Sequence, residues 1–360
     1  NRGSQVRILP PRPKYMSTPS KFSFYMPAEW QPHECCWMQW PTETFPINAT
    51  SSWSHFDLDK GRIAWANVAN AISKFEKLKM IVNPSDLASA KKLLNENIEI
   101  LVLPINDAWC RDSGAIFLIN KDNQLGGVDS DFNCWGYQEN YELDDKVAKF
   151  MIDHANSKYF KNNMVLEGGS IHVNGNGTLL TTEQCLLNEN RNPELSKDQI
   201  ESNLKNYFGV ENIVWLKHGT DEGTDGHVDN VACFTNHKTI IAMTCSDKND
   251  SYYDLLNENL ETLNSSRDLD GNPFNIVELE MSKKRIIPGD DEPSSYINFY
   301  IANDAIIFPV FGDEEADLNA QKIIKSQFPN RQIVCLDGHD ILLGGGNIHC
   351  ITQQQPRSIK

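Results

Sequence analysis

One structural unit returns along this chain at a nearly fixed interval, and that period restricts the fold more than any motif taken alone. The unit is a helix, a short apolar strand, a polar loop and a hairpin. Helical spacing of apolar residues predicts a helix over 143–154, then an apolar strand over 164–166. The loop Glu167-Gly168-Gly169-Ser170 follows, then a hairpin of 171–173 and 178–182 across an Asn-Gly-Asn-Gly turn. The same order comes back as helix 196–208, strand 213–216, a loop over 219–230 and a hairpin of 231–235 with 239–244. It returns again as helix 253–263, strand 276–279, a loop over 288–295 and a hairpin of 296–302 with 305–310. A last helix over 314–327 and strand 333–336 lead to the glycine run before Cys350.

The N-terminal part fits the pattern. An aromatic-rich strand region surrounds Trp37 and ends at Pro41. Ala64, Val68, Ala71, Ile72 and Phe75 share one helical face. Strand 78–82, a helix from a Ser85 cap to about 95 and strand 98–103 follow. That strand feeds the loop 106–114 and a hairpin of 115–119 with 124–128.

The polar loops hold the chemistry, and they are in phase. Asp112 precedes Glu167 by 55 residues, Glu167 precedes His227 by 60, and His227 precedes Cys350 by 123, close to two periods. The skipped station falls in the loop 288–295. Repeats of this length read as α/β blades around an axis, with equivalent loops at one end. Residues on those loops converge on one site.

The converging set is Asp112, Glu167, His227, Asp229 and Cys350, with Trp109 nearby. A glycine run before a cysteine reads either as a turn before a strand or as the narrow floor of a pocket; the phase of the other loops favours the pocket. Cys with His makes a nucleophile and an acid/base partner. Three carboxylates beside a thiol oppose its ionisation unless the substrate brings positive charge. A planar guanidinium does so, and two carboxylates can grip its N–H groups side-on. Trp109 would stack on that cation or line its channel, and Asn347 is a further candidate contact. Asp107 and Asp221 read as turn residues. His33, Cys35 and Cys36 match no zinc spacing and read as a packed strand.

Charge points the same way. The chain of 360 residues carries 33 basic and 49 acidic side chains, a net charge of −16, which argues against nucleic-acid or anionic-membrane partners. Nine dispersed cysteines read as reduced thiols in a cytoplasmic protein. No apolar run reaches membrane-spanning length. Residues 1–15 read as a non-native leader and 16–360 as a single catalytic domain. Association into a homo-oligomer is left open.

The motifs MPAEW (26–30), WCRDSG (109–114), LEGGSIH (166–172), TDGHVDN (224–230) and LGGGNIHCITQQQP (343–356) closely resemble the agmatine deiminase family of guanidine-modifying enzymes. The resemblance spans nearly the whole chain. It implies the pentein fold, a pseudo-fivefold α/β propeller, and conversion of agmatine and water to N-carbamoylputrescine and ammonia, with neither metal nor organic cofactor expected. By motif match it makes Cys350 the nucleophile and His227 the acid/base. Asp112 and Asp229 would grip the guanidinium, and Glu167 would bind it and assist proton transfer. Ala115 stands where the family motif leads one to expect Pro, and Cys35-Cys36 where a small residue is commoner. Peptidylarginine deimination, amidino transfer and non-catalytic cation binding are the alternatives.

Overall fold

The computed structural model describes residues 17–43, 57–138, 140–286 and 293–358. The stretch read as a leader and most of the loop 288–295 lie outside these residues. Five small sheets account for the named strands. Four are three-stranded with one plan: an inner strand antiparallel to the second, and the second parallel to the third. The inner strands are Ile116–Ile119, His172–Val173, Ala232–Asn236 and Tyr300–Ile301. A crossover helix joins the second strand to the third, as parallel pairing requires: Val147–His154, Lys197–Phe208, Tyr253–Ser265 and Glu314–Gln327 in turn.

The fifth sheet closes the ring. Its inner strand, Thr352–Pro356, comes from the far end of the chain and pairs antiparallel with His33–Gln39, matching Cys36 to Gln354. Lys77–Val82 and Glu99–Val102 then add in parallel. The side chain of Gln353 donates to the Ala115 carbonyl at 2.8 Å, tying this strand to the next blade. The architecture is the α/β propeller that the repeat and the resemblance lead one to expect.

Local chemistry explains the elements. Helix Lys197–Phe208 starts in a capping box between Ser196 and Gln199 and ends where Gly209 turns left-handed (φ 65°). Helix Leu58–Ile72 buries Ala64, Trp65, Val68, Ala69 and Ile72 against Met38, Met80 and Val82 of its sheet. Truncating one of these large side chains to Ala would cost about 2–5 kcal/mol. Two elements differ from expectation. The strand placed at 164–166 begins at Lys158, paired with Gly126, because outward Tyr159, Lys161 and Asn163 alternate with buried Phe160, Asn162 and Met164. The helix expected from Ser85 is a 3-10 turn, Pro84–Asp86, leading into Leu87–Leu93, and Ser85 does not cap it.

Candidate active site

Three of the five loops that enter an inner strand finish in a short helical turn, and those turns carry most of the polar set. Asp112 lies in Cys110–Ser113, Glu167 and His227 immediately precede Gly168–Ser170 and Val228–Asn230, and Asp229 lies within the latter. Cys350 ends a turn just before the closing strand. A single turn aims a side chain inward while the strand behind it fixes the backbone.

The structure brings Asp112, Glu167, His227, Asp229 and Cys350 together. A methyl group placed on Gly169 would lie 2.5 Å from Nδ1 of His227, 2.9 Å from Oδ1 of Asp112 and 3.0 Å from Oδ2 of Asp229. Three polar atoms thus surround a position that only hydrogen can fill. Cys350 Sγ lies 3.7 Å from Oδ2 of Asp229. Asp112 accepts from Gly169 N and from Nε1 of Trp135, each at 3.0 Å. Glu167 is anchored through Oε1 by Nε of Arg191 at 2.7 Å, which leaves Oε2 3.8 Å from Nε2 of His227. Nδ1 of His227 is 3.8 Å from Oδ1 of Asp112. Both ring nitrogens and Oε2 are buried without a hydrogen-bond partner.

Asn298 lies three residues past the loop 288–295, where the skipped station was expected, and faces the thiol. Its Oδ1 accepts from the backbone N–H of His349 (2.9 Å) and Cys350 (3.3 Å), which fixes the carboxamide orientation. Its Nδ2 therefore points to Sγ of Cys350 at 3.1 Å and to Oδ1 of Asn230 at 3.0 Å. Asn298 was not found in the sequence because it carries no titratable group; the unfilled station was the signal available. Behind the site, His349 links Oδ2 of Asp229 (2.7 Å) to Oε1 of Glu29 (2.9 Å), and Glu29 also receives Nη1 of Arg111 at 3.2 Å. Glu29, Arg191 and His349 were likewise not singled out.

Trp109 is buried along the glycine run: its Cζ3 would lie 2.8 Å from a Cβ on Gly346, which would itself be 3.1 Å from Cys350 Sγ. A side chain at Gly346 would thus crowd both the indole and the thiol. Asn347 is engaged with its own loop. Its carboxamide donates to the Gly338 carbonyl (3.2 Å) and accepts from Ile348 N (3.0 Å), so it holds the loop.

Burial raises the Cys350 thiol well above its usual pKa, and Asp229 and Asp112 add to this; the Asn347 amide and Asn298 pull the other way. Burial is the largest influence on Glu167 and opposes its ionisation, but Arg191 and His227 together outweigh it and hold the carboxyl at about 2. His227 is raised well above its usual value because Asp112 and its other neighbours outweigh burial. For Asp229, burial is the largest influence, but His349, His227 and Arg111 together outweigh it, and its pKa falls. Asp112 is raised, chiefly by burial.

The family model described as Porphyromonas-type peptidyl-arginine deiminase matches residues 25–356. The chain belongs to this family. Among its relatives is a Legionella pneumophila protein provisionally named an agmatine deiminase, 46% identical over 349 residues, covering 96% of this chain and 98% of the other. Agmatine deiminase of Medicago truncatula is 38% identical over 94% of this chain and 98% of its own. The solved agmatine deiminase of Enterococcus faecalis superposes with a TM-score of 0.88 at 36% identity, covering 96% and 99% of the two chains. The fold is that of the penteins, and the family's members are enzymes.

Proposed function

We propose that this protein hydrolyses agmatine to N-carbamoylputrescine and ammonia through a covalent thiouronium on Cys350. The observation that carries this reading is the buried thiol set among Asp112, Asp229 and Glu167, an anionic surround that makes chemical sense for a cationic substrate. Asp112 and Asp229 hold the guanidinium N–H groups, and Glu167 accepts a further one. Trp109 borders the planar cation. The substrate's charge offsets the carboxylates and lets Cys350 ionise, with Nδ2 of Asn298 donating to the sulfur.

The thiolate attacks the guanidinium carbon and a C–S bond forms. Protonated His227 gives its proton to one amino nitrogen, the C–N bond breaks, and ammonia leaves an S-alkylthiouronium. Neutral His227 then takes a proton from water as its oxygen attacks the same carbon. Collapse breaks the C–S bond, frees the urea product and returns Cys350 to the thiolate, with one proton released. Splitting the hydrolysis into two addition–elimination steps is the gain of a covalent route.

The relatives named agmatine deiminase favour agmatine over peptidyl-arginine. The site argues against free arginine: Arg111 and Arg191, its buried arginines, are already paired with Glu29 and with Glu167 and Asp225, and an α-carboxylate would find no free partner in them. The cytoplasm is the compartment we assign, since all nine cysteines are free thiols. Among the described residues no helix is long and apolar enough to cross a membrane. Ammonia release measured on agmatine, free arginine, peptidyl-arginine and methylated arginine tests the assignment. Turnover of agmatine is expected. Turnover of peptidyl-arginine with agmatine inert would overturn it.

A further inference from the structure

Cys185 has no part in the mechanism above, yet it lies against His227, whose ring nitrogens lack hydrogen-bond partners, and against Glu167, whose Oε2 lacks one. A ring nitrogen of His227, a carboxylate oxygen of Glu167 and the sulfur of Cys185 all lie within 4.8 Å of one another, and all three residues are buried. The nitrogen that faces Glu167 is Nε2, 3.8 Å from Oε2. Neither atom has a hydrogen-bond partner. Leaving such groups unpaired in the interior is costly, which points to something that completes them.

We propose that Glu167, Cys185 and His227 form a binding site for a thiophilic divalent cation, Zn2+ above all, which inhibits the enzyme without touching Cys350. One thiolate, one imidazole and one carboxylate are a zinc donor set, with water free to take a fourth position. Bonds of about 2.0–2.3 Å hold tetrahedral donors roughly 3.3–3.8 Å apart, so the side chains need only small movements. The outer shell is already built. Arg191 holds Oε1 of Glu167 at 2.7 Å, which turns Oε2 toward His227. Oδ1 of Asp112 lies 3.8 Å from Nδ1, the other ring nitrogen. The backbone N–H of Cys185 is pinned to Oγ1 of Thr182 at 3.2 Å. A carboxylate behind the imidazole and a cation behind the carboxylate are the usual supports of ligating side chains. Glu167 and His227 border the reacting centre, so an ion reaching the substrate's position reaches these donors.

The inhibitory effect rests on the acid/base role given to His227; the binding does not. Metal on Nε2 takes the lone pair of the ring and leaves Nδ1 unable to pick up and deliver a proton. Glu167 is withdrawn from the substrate at the same time, so agmatine and metal compete.

The test separates binding from activity. Co2+ is titrated into Cys350→Ser protein, where the catalytic thiol is gone. A thiolate-to-cobalt charge-transfer band, removed by Zn2+, is expected there and should be lost in Cys350→Ser/Cys185→Ala. With wild type, Zn2+ is expected to inhibit in a way a chelator reverses, while iodoacetamide alkylates Cys350 no more slowly than without the metal. In Cys185→Ala the half-inhibiting Zn2+ concentration should rise about 10–100-fold, the scale for loss of a metal-site group. Thermal melting checks that the variants fold, and Cys185→Val replaces Cys185→Ala if the latter does not. No cobalt band in Cys350→Ser, a band that survives loss of Cys185, or zinc protection of Cys350 from alkylation would each overturn the proposal. If agmatine proves not to be the substrate, the cobalt titration still decides the site.

Discussion

The thiol of Cys350 sits where burial and two carboxylates both disfavour its anion. A raised thiol pKa means that the reactive thiolate is scarce at neutral pH and grows as pH climbs. Iodoacetamide should therefore alkylate Cys350 slowly near pH 7 and faster at higher pH. Asp229→Asn should move that profile to lower pH while weakening agmatine binding. A profile that is flat from pH 6 upward, as in a thiolate–imidazolium pair, would show that the free enzyme is already activated. Cys350→Ser should retain its melting temperature and lose at least about a thousandfold in kcat, the scale for removing a covalent nucleophile; a variant keeping a tenth of wild-type turnover would discard the nucleophile assignment. His349 has a positioning role in this picture, bridging Asp229 and Glu29 from behind. His349→Asn should raise KM for agmatine more than it lowers kcat, which initial-rate kinetics would read. At this scale the titratable residues were legible because their chemistry is unusual in a shared loop position. Asn298, Arg191 and Glu29 were not, since a lone amide or a buried ion pair looks like any polar residue until its partners, far away in sequence, are known.

Among the elements, the short turns before the inner strands matter most. Gly169 occupies one of them, and a Cβ there would meet His227 Nδ1 at 2.5 Å and Asp112 Oδ1 at 2.9 Å. Gly169→Ala is expected to lower kcat/KM about a hundredfold, the effect of roughly an ångström of misplacement among reacting groups. Kinetics alongside a melting curve would check it: wild-type activity would show that the turn can give way. The blade plan itself was legible, because hairpins and amphipathic helices write their own periods into the sequence. The strand Lys158–Val165 was only half seen, since its outer residues are polar and its pairing with Leu125–Asp131 decides where it starts. The split at Pro84–Asp86 was missed for the opposite reason: local turn geometry overrode a plausible cap.

Taken whole, the molecule is a ring with its anionic centre on the axis and a surface that shares the sign, −16 in net charge. Free arginine should be a poor substrate, because its α-carboxylate would enter that field and burying it unpaired would cost several kcal/mol. Competition between arginine and agmatine, followed by product analysis, measures this directly; equal catalytic efficiencies would refute it. The ring is fastened where Thr352–Pro356 lies along His33–Gln39. Synthesis therefore leaves the first-made sheet without its innermost strand until almost the whole polypeptide exists. A contact this distant in sequence is slow to form and exposes an open sheet edge meanwhile. The same late segment carries Cys350, so a nascent chain that stalls or is cut short holds four prepared loops and lacks the thiol proposed as nucleophile. Reactivity arrives together with closure, and an unfinished molecule is chemically silent.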